Sequence, residues 1–189
     1  MSRKLLVIVA STRPGRIGLA FGAWMAEYAR ANSGYDVELV DLAEVNLPFF
    51  DEPEHPRFGR YQHEHTKAWS RTIGGADAFV FVMPEYNYGF NAVIKNALDY
   101  LSAEWRDKPV GFLSYGGVAG GTRAVQLLKP VIAALGMVTP LPAIIVPFAP
   151  QYIGEDGEAA LPDQIARSGK AMLAELERLG SLLRPSPIE

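Results

Sequence analysis

Residues 84–91 combine aromatic, amide and glycine groups directly after a short, wholly apolar run. Tyr86 and Tyr88 offer flat apolar surfaces, Asn87 offers an amide, and Gly89 leaves room for close approach of the backbone. Such a loop could form one wall of a site for a flat ring, or it could be an ordinary polar turn. The elements around it decide between the two.

A second group of reactive residue types lies in residues 11–18, after another apolar run. If a helix starts here, its free amides and its dipole attract an anion. Arg13 and Arg16 add forked donors that suit phosphate oxygens. The segment matches neither the Walker A nor the Gly-x-Gly-x-x-Gly pattern, so a monophosphate is expected. The alternative is an N-capped turn with two solvated arginines.

The third loop, residues 114–121, contains four glycines. Without side chains in the way, backbone amides can approach the edge of a planar ring. The alternative, a flexible linker, is disfavoured directly after a buried strand. Together the three loops offer an anion site, an aromatic wall and a backbone-lined edge, and flavin mononucleotide (FMN) has a phosphate, a ring face and a pyrimidine rim to match.

Strand and helix patterns alternate along the chain and must position these loops. Predicted strands cover residues 4–10, 35–41, 78–83, 109–114 and 138–146; predicted helices cover 17–31, 61–73, 91–102, the segment up to 135, and 162–183; residues 42–60 form a surface excursion. Such alternation predicts a parallel sheet covered on both faces. The fold class is therefore α/β, a flavodoxin-like doubly wound five-stranded sheet in the order 2-1-3-4-5, whose crevice brings the three loops together.

The composition limits the classes of function. A chain of 189 residues is expected to form a single domain, residues 1–189. A net charge of −3 disfavours nucleic acid or anionic membrane as a partner, and no apolar run approaches the ~18–20 residues of a membrane span. The absence of cysteine excludes a thiolate nucleophile, an iron–sulfur cluster and cysteine-ligated zinc. A cytoplasmic location is expected.

The three motifs resemble those of the NADPH-dependent FMN reductase family, which includes quinone, azo-dye and chromate reductases. The matching segments are residues 11–18, 84–99 and 115–124, in that order, and the resemblance covers the chain from residue 4 to about residue 146. It implies a flavodoxin-like fold that binds FMN without a covalent bond, in a homodimer or a homotetramer built from dimers. Residues 42–60 and the tail match the family least.

The resemblance also implies three sets of cofactor-binding residues, for the phosphate, for the ring and ribityl chain, and for the polar edge of the ring. In that order, the sets are Ser11, Arg13, Arg16, Ile17 and Gly18; Pro84, Glu85, Tyr86 and Asn87; and Ser114, Gly116, Gly117 and Gly120. No side chain is assigned as an acid or a base, because the flavin carries the chemistry.

The implied activity is hydride transfer from NADPH or NADH, through bound FMN, to a small-molecule acceptor such as a quinone, a free flavin or an azo compound. The acceptor replaces the nicotinamide, which makes the mechanism ping-pong. The alternative is a flavodoxin-type electron carrier that binds FMN without reacting with NAD(P)H, but such carriers are strongly acidic. A receiver-type signalling domain is disfavoured because Met83 and Pro84 stand where it needs an aspartate.

His55, His63 and His65 do not predict a metal site. Residues at i and i+2 diverge on a helix, and catalytic zinc needs three converging ligands. No metal is expected.

Overall fold

Five parallel strands form one sheet in the order β2-β1-β3-β4-β5 in a computed structural model that describes residues 2–183. The strands are β1 (Lys4–Val9), β2 (Asp36–Asp41), β3 (Ala78–Pro84), β4 (Val110–Tyr115) and β5 (Ile144–Val146). The helices are α1 (Gly18–Asn32), α2 (Leu42–Val45), α3 (Glu64–Gly74), α4 (Ala92–Asp99), α5 (Thr122–Ala134) and α6 (Asp163–Leu182). The predicted flavodoxin-like winding is confirmed.

The apolar runs become the central strands because both faces of the sheet are covered. One face packs against α1 and α6, and the other packs against α3, α4 and α5. Every residue of β3 and of β4 is buried. Trp69 and Trp105, whose ring centroids lie 6.1 Å apart, are buried in the second of these layers, so they are core residues.

The register of the central strands brings three loops to one edge of the sheet. Val9 pairs with Val82, and Pro84 pairs with Tyr115. The pairing continues one residue further, since the amide of Glu85 donates to the carbonyl of Tyr115 at 3.0 Å. The loops after β1, β3 and β4 therefore start side by side, as expected at the switch point of a doubly wound sheet.

The fifth strand is shorter than predicted. Only Ile144–Val146 pairs with β4, whereas residues 138–143 were expected to extend it. Pro140 and Pro142 have no amide hydrogen to donate to a ladder. Val138 makes only an isolated bridge to Pro109.

Other boundaries also differ from the sequence prediction: the helix predicted over residues 91–102 ends at Asp99. The excursion at residues 42–60 begins with a helix, α2, and the predicted helix at 61–73 starts only at Glu64. The predicted terminal helix, residues 162–183, is observed as α6. Among the helices described within residues 2–183, none has the length and apolar character to cross a membrane.

Candidate functional site

The carboxyl ends of the central strands border a cavity of about 500 Å³, here named the crevice cavity. Eight of the predicted site residues line it, namely Arg13, Arg16, Ile17, Pro84, Glu85, Tyr86, Gly116 and Gly117. Its other lining residues are Tyr115, Phe148, Ala149 and Pro150. The volume lies within the range of small-molecule sites, roughly 300–1,000 Å³. The structure thus brings all three predicted loops to one cavity.

Helix α1 presents an uncapped N-terminus at this cavity. Its N-cap residue is Ile17, and within residues 2–183 no side chain accepts a hydrogen bond from the first turn. The alternative of an N-capped turn is therefore wrong. Arg13 is exposed at the same place and forms no ion pair or side-chain hydrogen bond with the rest of residues 2–183. Free amides beside an uncommitted guanidinium group make an anion site.

Arg16 lines the cavity, but its guanidinium group is already paired. One Nη donates to the Asp41 carboxylate at 2.6 Å and to the Ser11 carbonyl at 2.7 Å, and the other Nη binds the second carboxylate oxygen. Asp41 also accepts from the Ala43 amide at 3.0 Å, which caps α2. Arg16 therefore ties the first loop to the end of β2 as well as lining the cavity.

The Asp41 carboxyl is buried, and its pKa reflects competing causes. Burial disfavours the charged form, but the hydrogen bonds from Arg16 and from the Ala43 amide outweigh burial and leave the pKa of Asp41 below its ordinary value. Asp41 was not among the site residues predicted from the sequence. An aspartate at the end of a strand and before a helix is an N-cap signal that could have drawn attention to it.

Two predicted phosphate residues, Ser11 and Gly18, are buried and do not line the cavity. Ser11 is only 1% exposed, and its hydroxyl has no hydrogen-bond partner within the described residues. Gly18 allows a close approach, because a Cβ there would lie 2.1 Å from the Ser11 hydroxyl oxygen. The first loop thus holds an unsatisfied hydroxyl directly against the first residue of α1.

The second loop is a tight hairpin. Tyr86 and Gly89 exchange two backbone hydrogen bonds of 2.9 Å, and the two central residues, Asn87 and Tyr88, have φ values of 47° and 71°. These values match a type I′ turn, which requires positive φ at both central positions. Tyr86 faces the cavity, whereas Asn87 is exposed and does not line it.

Glu85 joins the second loop to the third. Its carboxylate accepts from the Arg123 amide at 3.1 Å and from the Arg123 Nε at 2.7 Å. The first of these bonds caps α5, whose own N-cap residue is Gly121. Because the carboxylate is committed to Arg123, Glu85 contributes to the cavity wall without offering a free charge.

The glycines of the third loop divide into two kinds. Gly116 and Gly117 line the cavity, and a Cβ on Gly117 would meet nothing within 4 Å. Gly120 has a φ of 57°, and a Cβ there would lie 2.5 Å from the Cγ2 of Ile145. Ser114 is fully buried and donates to the Gly120 carbonyl at 2.9 Å. Ser114 and Gly120 therefore shape the loop rather than line the cavity.

Tyr115 and residues 148–150 also line the cavity but were not predicted from the sequence. The amide of Phe148 donates to the Gly117 carbonyl at 3.0 Å, and the amide of Ala149 donates to the Gly116 carbonyl at 3.1 Å. These bonds fold the segment after β5 over the third loop. An aromatic residue and a proline directly after the last strand, at the same edge of the sheet, were the available signal.

A second cavity of about 480 Å³ borders the first loop at Thr12 and extends between α2 and α4. Its lining is mostly apolar, with the amides of Asn46 and Asn96, and it includes no charged residue. It therefore lacks the anion-binding groups of the crevice cavity.

The histidines lie outside both of these cavities. The side chains of His63 and His65 were expected to diverge. This prediction is wrong, because their rings stack with centroids 5.1 Å apart. His63 is the N-cap of α3 and has an extended backbone, so helical spacing does not apply to it. Across residues 2–183, no group of three or more histidine, aspartate or glutamate side chains is placed to hold a metal ion.

The sequence profile of the family described as NADPH-dependent FMN reductase matches residues 3–151. An NAD(P)H-dependent FMN reductase of Schizosaccharomyces pombe is 46% identical over 148 residues, which are 76% of this chain and 74% of the relative. Another protein of that description, from a Nectria species, is 33% identical over 168 residues, 86% of this chain and 82% of the relative.

Shorter matches include an NADPH:quinone oxidoreductase of Arabidopsis thaliana, 40% identical over 52% of this chain and 50% of the relative. They also include an NADPH azoreductase of a Bacillus strain, 34% identical over 53% of this chain and 56% of the relative. Among solved structures, the flavoenzyme FerB of Paracoccus denitrificans, an NAD(P)H:(acceptor) oxidoreductase, superimposes with a TM-score of 0.73. It is 20% identical, and the match covers 95% of this chain and 98% of that chain, so it supports the fold.

Proposed function

Because the chain belongs to the NADPH-dependent FMN reductase family, we propose that the crevice cavity is its FMN site. The protein is an NAD(P)H-dependent oxidoreductase with FMN as its cofactor. The observation that carries the assignment is the uncapped N-terminus of α1, which meets the free guanidinium group of Arg13 beside an aromatic wall. This combination matches a ligand that has one phosphate and one flat ring.

The phosphate end of the cavity is assigned to the first loop. The first-turn amides of α1 and the guanidinium group of Arg13 bind the phosphate oxygens. The Ser11 hydroxyl, which has no hydrogen-bond partner among the residues that the structure describes, adds a donor. Arg16 acts through its pairing with Asp41 and the Ser11 carbonyl, which holds the loop in place. Ile17 and Gly18 leave the helix end open to the ligand.

The ring end is assigned to the second and third loops. Pro84 and Tyr86 line the ring and ribityl side, and the backbone of Gly116 and Gly117 borders the polar edge. Phe148 adds an aromatic side chain that is 56% exposed. Five further residues shape the second and third loops through hydrogen bonds or backbone conformation: Glu85, Asn87, Ser114, Gly120 and Arg123.

When bound, FMN supplies the chemistry that accepts and donates hydride. The residues of this chain bind and orient it, and none of them is assigned a proton-transfer step. Tyr86 is 39% exposed, so the cavity remains accessible beside it. We propose that NAD(P)H and the acceptor use this same opening in turn, which predicts ping-pong kinetics.

The proposed acceptors are quinones, free flavin and azo compounds, because relatives of this chain are named quinone and azo reductases. A carrier that binds FMN without reacting with NAD(P)H is disfavoured by the names of these relatives and by a net charge of only −3. We further propose that the chain forms a single domain, is located in the cytoplasm and assembles into a homodimer or homotetramer. Exposed apolar side chains such as Phe49, 87% exposed, support self-association.

The absorption spectrum of the purified protein tests the assignment. FMN has ~31 non-hydrogen atoms, so at ~0.3 kcal/mol each its binding free energy reaches about 9 kcal/mol and its Kd falls below roughly 1 µM. The protein is therefore expected to be yellow and to lose its flavin bands on addition of NADPH, with recovery when a quinone is added. A colourless protein that also takes up no added FMN would contradict the proposal, and a flavin that NAD(P)H does not bleach would favour the carrier.

A further inference from the structure

Two buried hydroxyl groups meet directly against the start of α1. Ser11 is 1% exposed and Tyr115, at the end of β4, is 5% exposed. A Cβ on Gly18 would lie 2.1 Å from the Ser11 hydroxyl oxygen and 2.3 Å from the Tyr115 hydroxyl oxygen. Both oxygens therefore lie against the Cα of Gly18, and they are close neighbours of each other.

The tyrosine ring is held firmly in this position. Its centroid lies 5.2 Å from that of Phe21, which is fully buried. Burial raises the pKa of Tyr115 to about 12, although the neighbouring Ser11 hydroxyl and the charges of Arg16 and Arg13 oppose the rise. The phenol therefore stays protonated at neutral pH and remains available as a hydrogen-bond donor.

The Ser11 hydroxyl has incomplete hydrogen bonding. It is buried and has no partner with hydrogen-bond geometry among residues 2–183. An unsatisfied buried hydroxyl costs about 1–3 kcal/mol, so such a group calls for a further partner. Arg16 fixes the Ser11 backbone through its carbonyl, at 2.7 Å, and makes no hydrogen bond to the Ser11 side chain.

We propose that Tyr115 is a positioning residue for the phosphate site: when FMN is bound, its hydroxyl, which makes no hydrogen bond to Ser11 in this structure, donates to the Ser11 oxygen and thereby directs the Ser11 proton at the phosphate. The inference rests on the proposed FMN site. A chain of this kind, from phenol to serine to phosphate, strengthens each bond by polarisation. A side chain at Gly18 would disturb this pair, since a Cβ there would clash with both hydroxyl oxygens.

Comparison of FMN with riboflavin tests the role, because riboflavin has the same ring system and no phosphate. In Tyr115→Phe, the Kd for FMN is expected to rise about tenfold, equivalent to ~1.4 kcal/mol, while the Kd for riboflavin stays at the wild-type value. Tyr35→Phe is the matched control. Tyr35 is also buried, with a pKa raised to about 12 by burial, but its hydroxyl lies near Arg3 and Glu177, away from the cavity.

Equal FMN affinity in Tyr115→Phe and wild type would overturn the inference, and so would an equal loss of FMN and riboflavin. Wild-type protein that binds neither flavin would instead overturn the proposed FMN site. A double-mutant cycle adds a further check: once Ser11→Ala has weakened FMN binding, Tyr115→Phe should weaken it no further. Additive effects of the two changes would mean that Tyr115 does not act through Ser11.

A second variant covers the case in which Tyr115→Phe does not fold. Gly18→Ala places a methyl group against both hydroxyl oxygens, so at least one of them must shift, and it removes neither of them. FMN affinity should then fall by about tenfold or more while riboflavin affinity is retained, because only the phosphate contact depends on the pair. Wild-type FMN affinity in a folded Gly18→Ala variant would overturn the inference.

Discussion

The guanidinium group of Arg123 lies over the ring of Tyr88, with its central carbon 3.7 Å from the ring centroid. The same group donates to the Glu85 carboxylate from Nε at 2.7 Å. Tyr88 has a φ of 71°, which costs an ordinary residue of order 1–2 kcal/mol. Arg123 thus links the strained hairpin of the second loop to the start of α5, and the two walls of the crevice cavity are held as one unit.

Arg123→Ala is expected to weaken the binding of FMN and of riboflavin by similar factors, about fivefold each, because it loosens the wall for the ring. Arg123→Lys should weaken the binding of both flavins almost as much. The ammonium group of lysine is not planar, so it cannot stack on the tyrosine ring and also donate to the carboxylate through several N–H groups. Fluorescence titration with both flavins measures the effect.

Arg178→Ala provides the control for this change. Arg178 is likewise engaged with a carboxylate, Glu175, but on the exposed face of α6. Its removal should leave both flavin affinities unchanged. Wild-type affinities in Arg123→Lys, or a loss confined to FMN, would contradict a role in holding the ring wall.

Asp41→Asn is expected to lower the free energy of unfolding by about 2 kcal/mol at pH 7, because it leaves the Arg16 guanidinium group partly buried without its counter-charge. The pKa of Asp41 is lowered in the folded protein. Its contribution is therefore complete above the unfolded value, near 3.8, and is lost as the pH falls through the folded pKa. Urea titrations at several pH values measure the free energy of unfolding. The difference in this free energy between variant and wild type should become smaller only at acid pH.

The pair of Lys95 and Asp99 serves as the control for that titration. It is also an ion pair, with 2.5 Å between its atoms, but both side chains are about two-fifths exposed. Asp99→Asn should therefore change stability little at any pH. If the stability difference between Asp41→Asn and wild type became larger on acidification, the lowered pKa of Asp41 would be contradicted.

The local patterns of the sequence were enough to predict the winding and the three loops. Apolar runs such as residues 78–83 could only be buried strands, and strand order then placed the loops at one edge. The partners of the charged residues were not predictable in this way. Arg123 lies 38 positions from Glu85, and Arg16 lies 25 positions from Asp41, so no helical or strand spacing relates them.

The shape of the third loop was also beyond local reasoning. The four glycines cannot be told apart in the sequence. A Cβ at Gly120 would clash with Ile145, whereas a Cβ at Gly117 would point into open space. The difference depends on how β5 approaches the loop. The end of this strand was predicted correctly at residue 146, but its start was placed at residue 138 instead of 144. Tyr115 was overlooked for a similar reason, because only the packing of β4 under α1 brings its hydroxyl to Ser11.

Gly121→Ala and Gly117→Ala are expected to differ sharply. A Cβ on Gly121 would lie 2.7 Å from the Ser114 Cβ and 2.8 Å from the Tyr115 amide nitrogen, at a φ of 85°. That variant should lose on the order of 3 kcal/mol of unfolding free energy. Gly117→Ala should keep its stability within about 0.5 kcal/mol but weaken both flavins, since its methyl group enters the cavity.

Thermal unfolding of the variants without flavin, followed by titration with FMN and riboflavin, separates the two effects. Each variant is the control for the other, because both add one methyl group to the same loop. Equal stability of the two would show that the loop adapts to a side chain at Gly121. Unchanged flavin affinity in Gly117→Ala would remove Gly117 from the border of the ring.

Arg13→Ala is expected to raise the Kd for FMN about tenfold or more while leaving the Kd for riboflavin unchanged, because Arg13 contributes a charge to the phosphate and no contact to the ring. Arg13 is exposed, so salt should screen its charge. The difference in the Kd for FMN between variant and wild type should therefore be smaller at high ionic strength. Arg57→Ala is the control, since Arg57 is an exposed arginine that lies over Phe58 and does not line the crevice cavity. Titration of all three proteins at low and at high ionic strength measures the effect. An Arg13→Ala variant that binds FMN as tightly as wild type, or that loses FMN and riboflavin equally, would place the phosphate elsewhere.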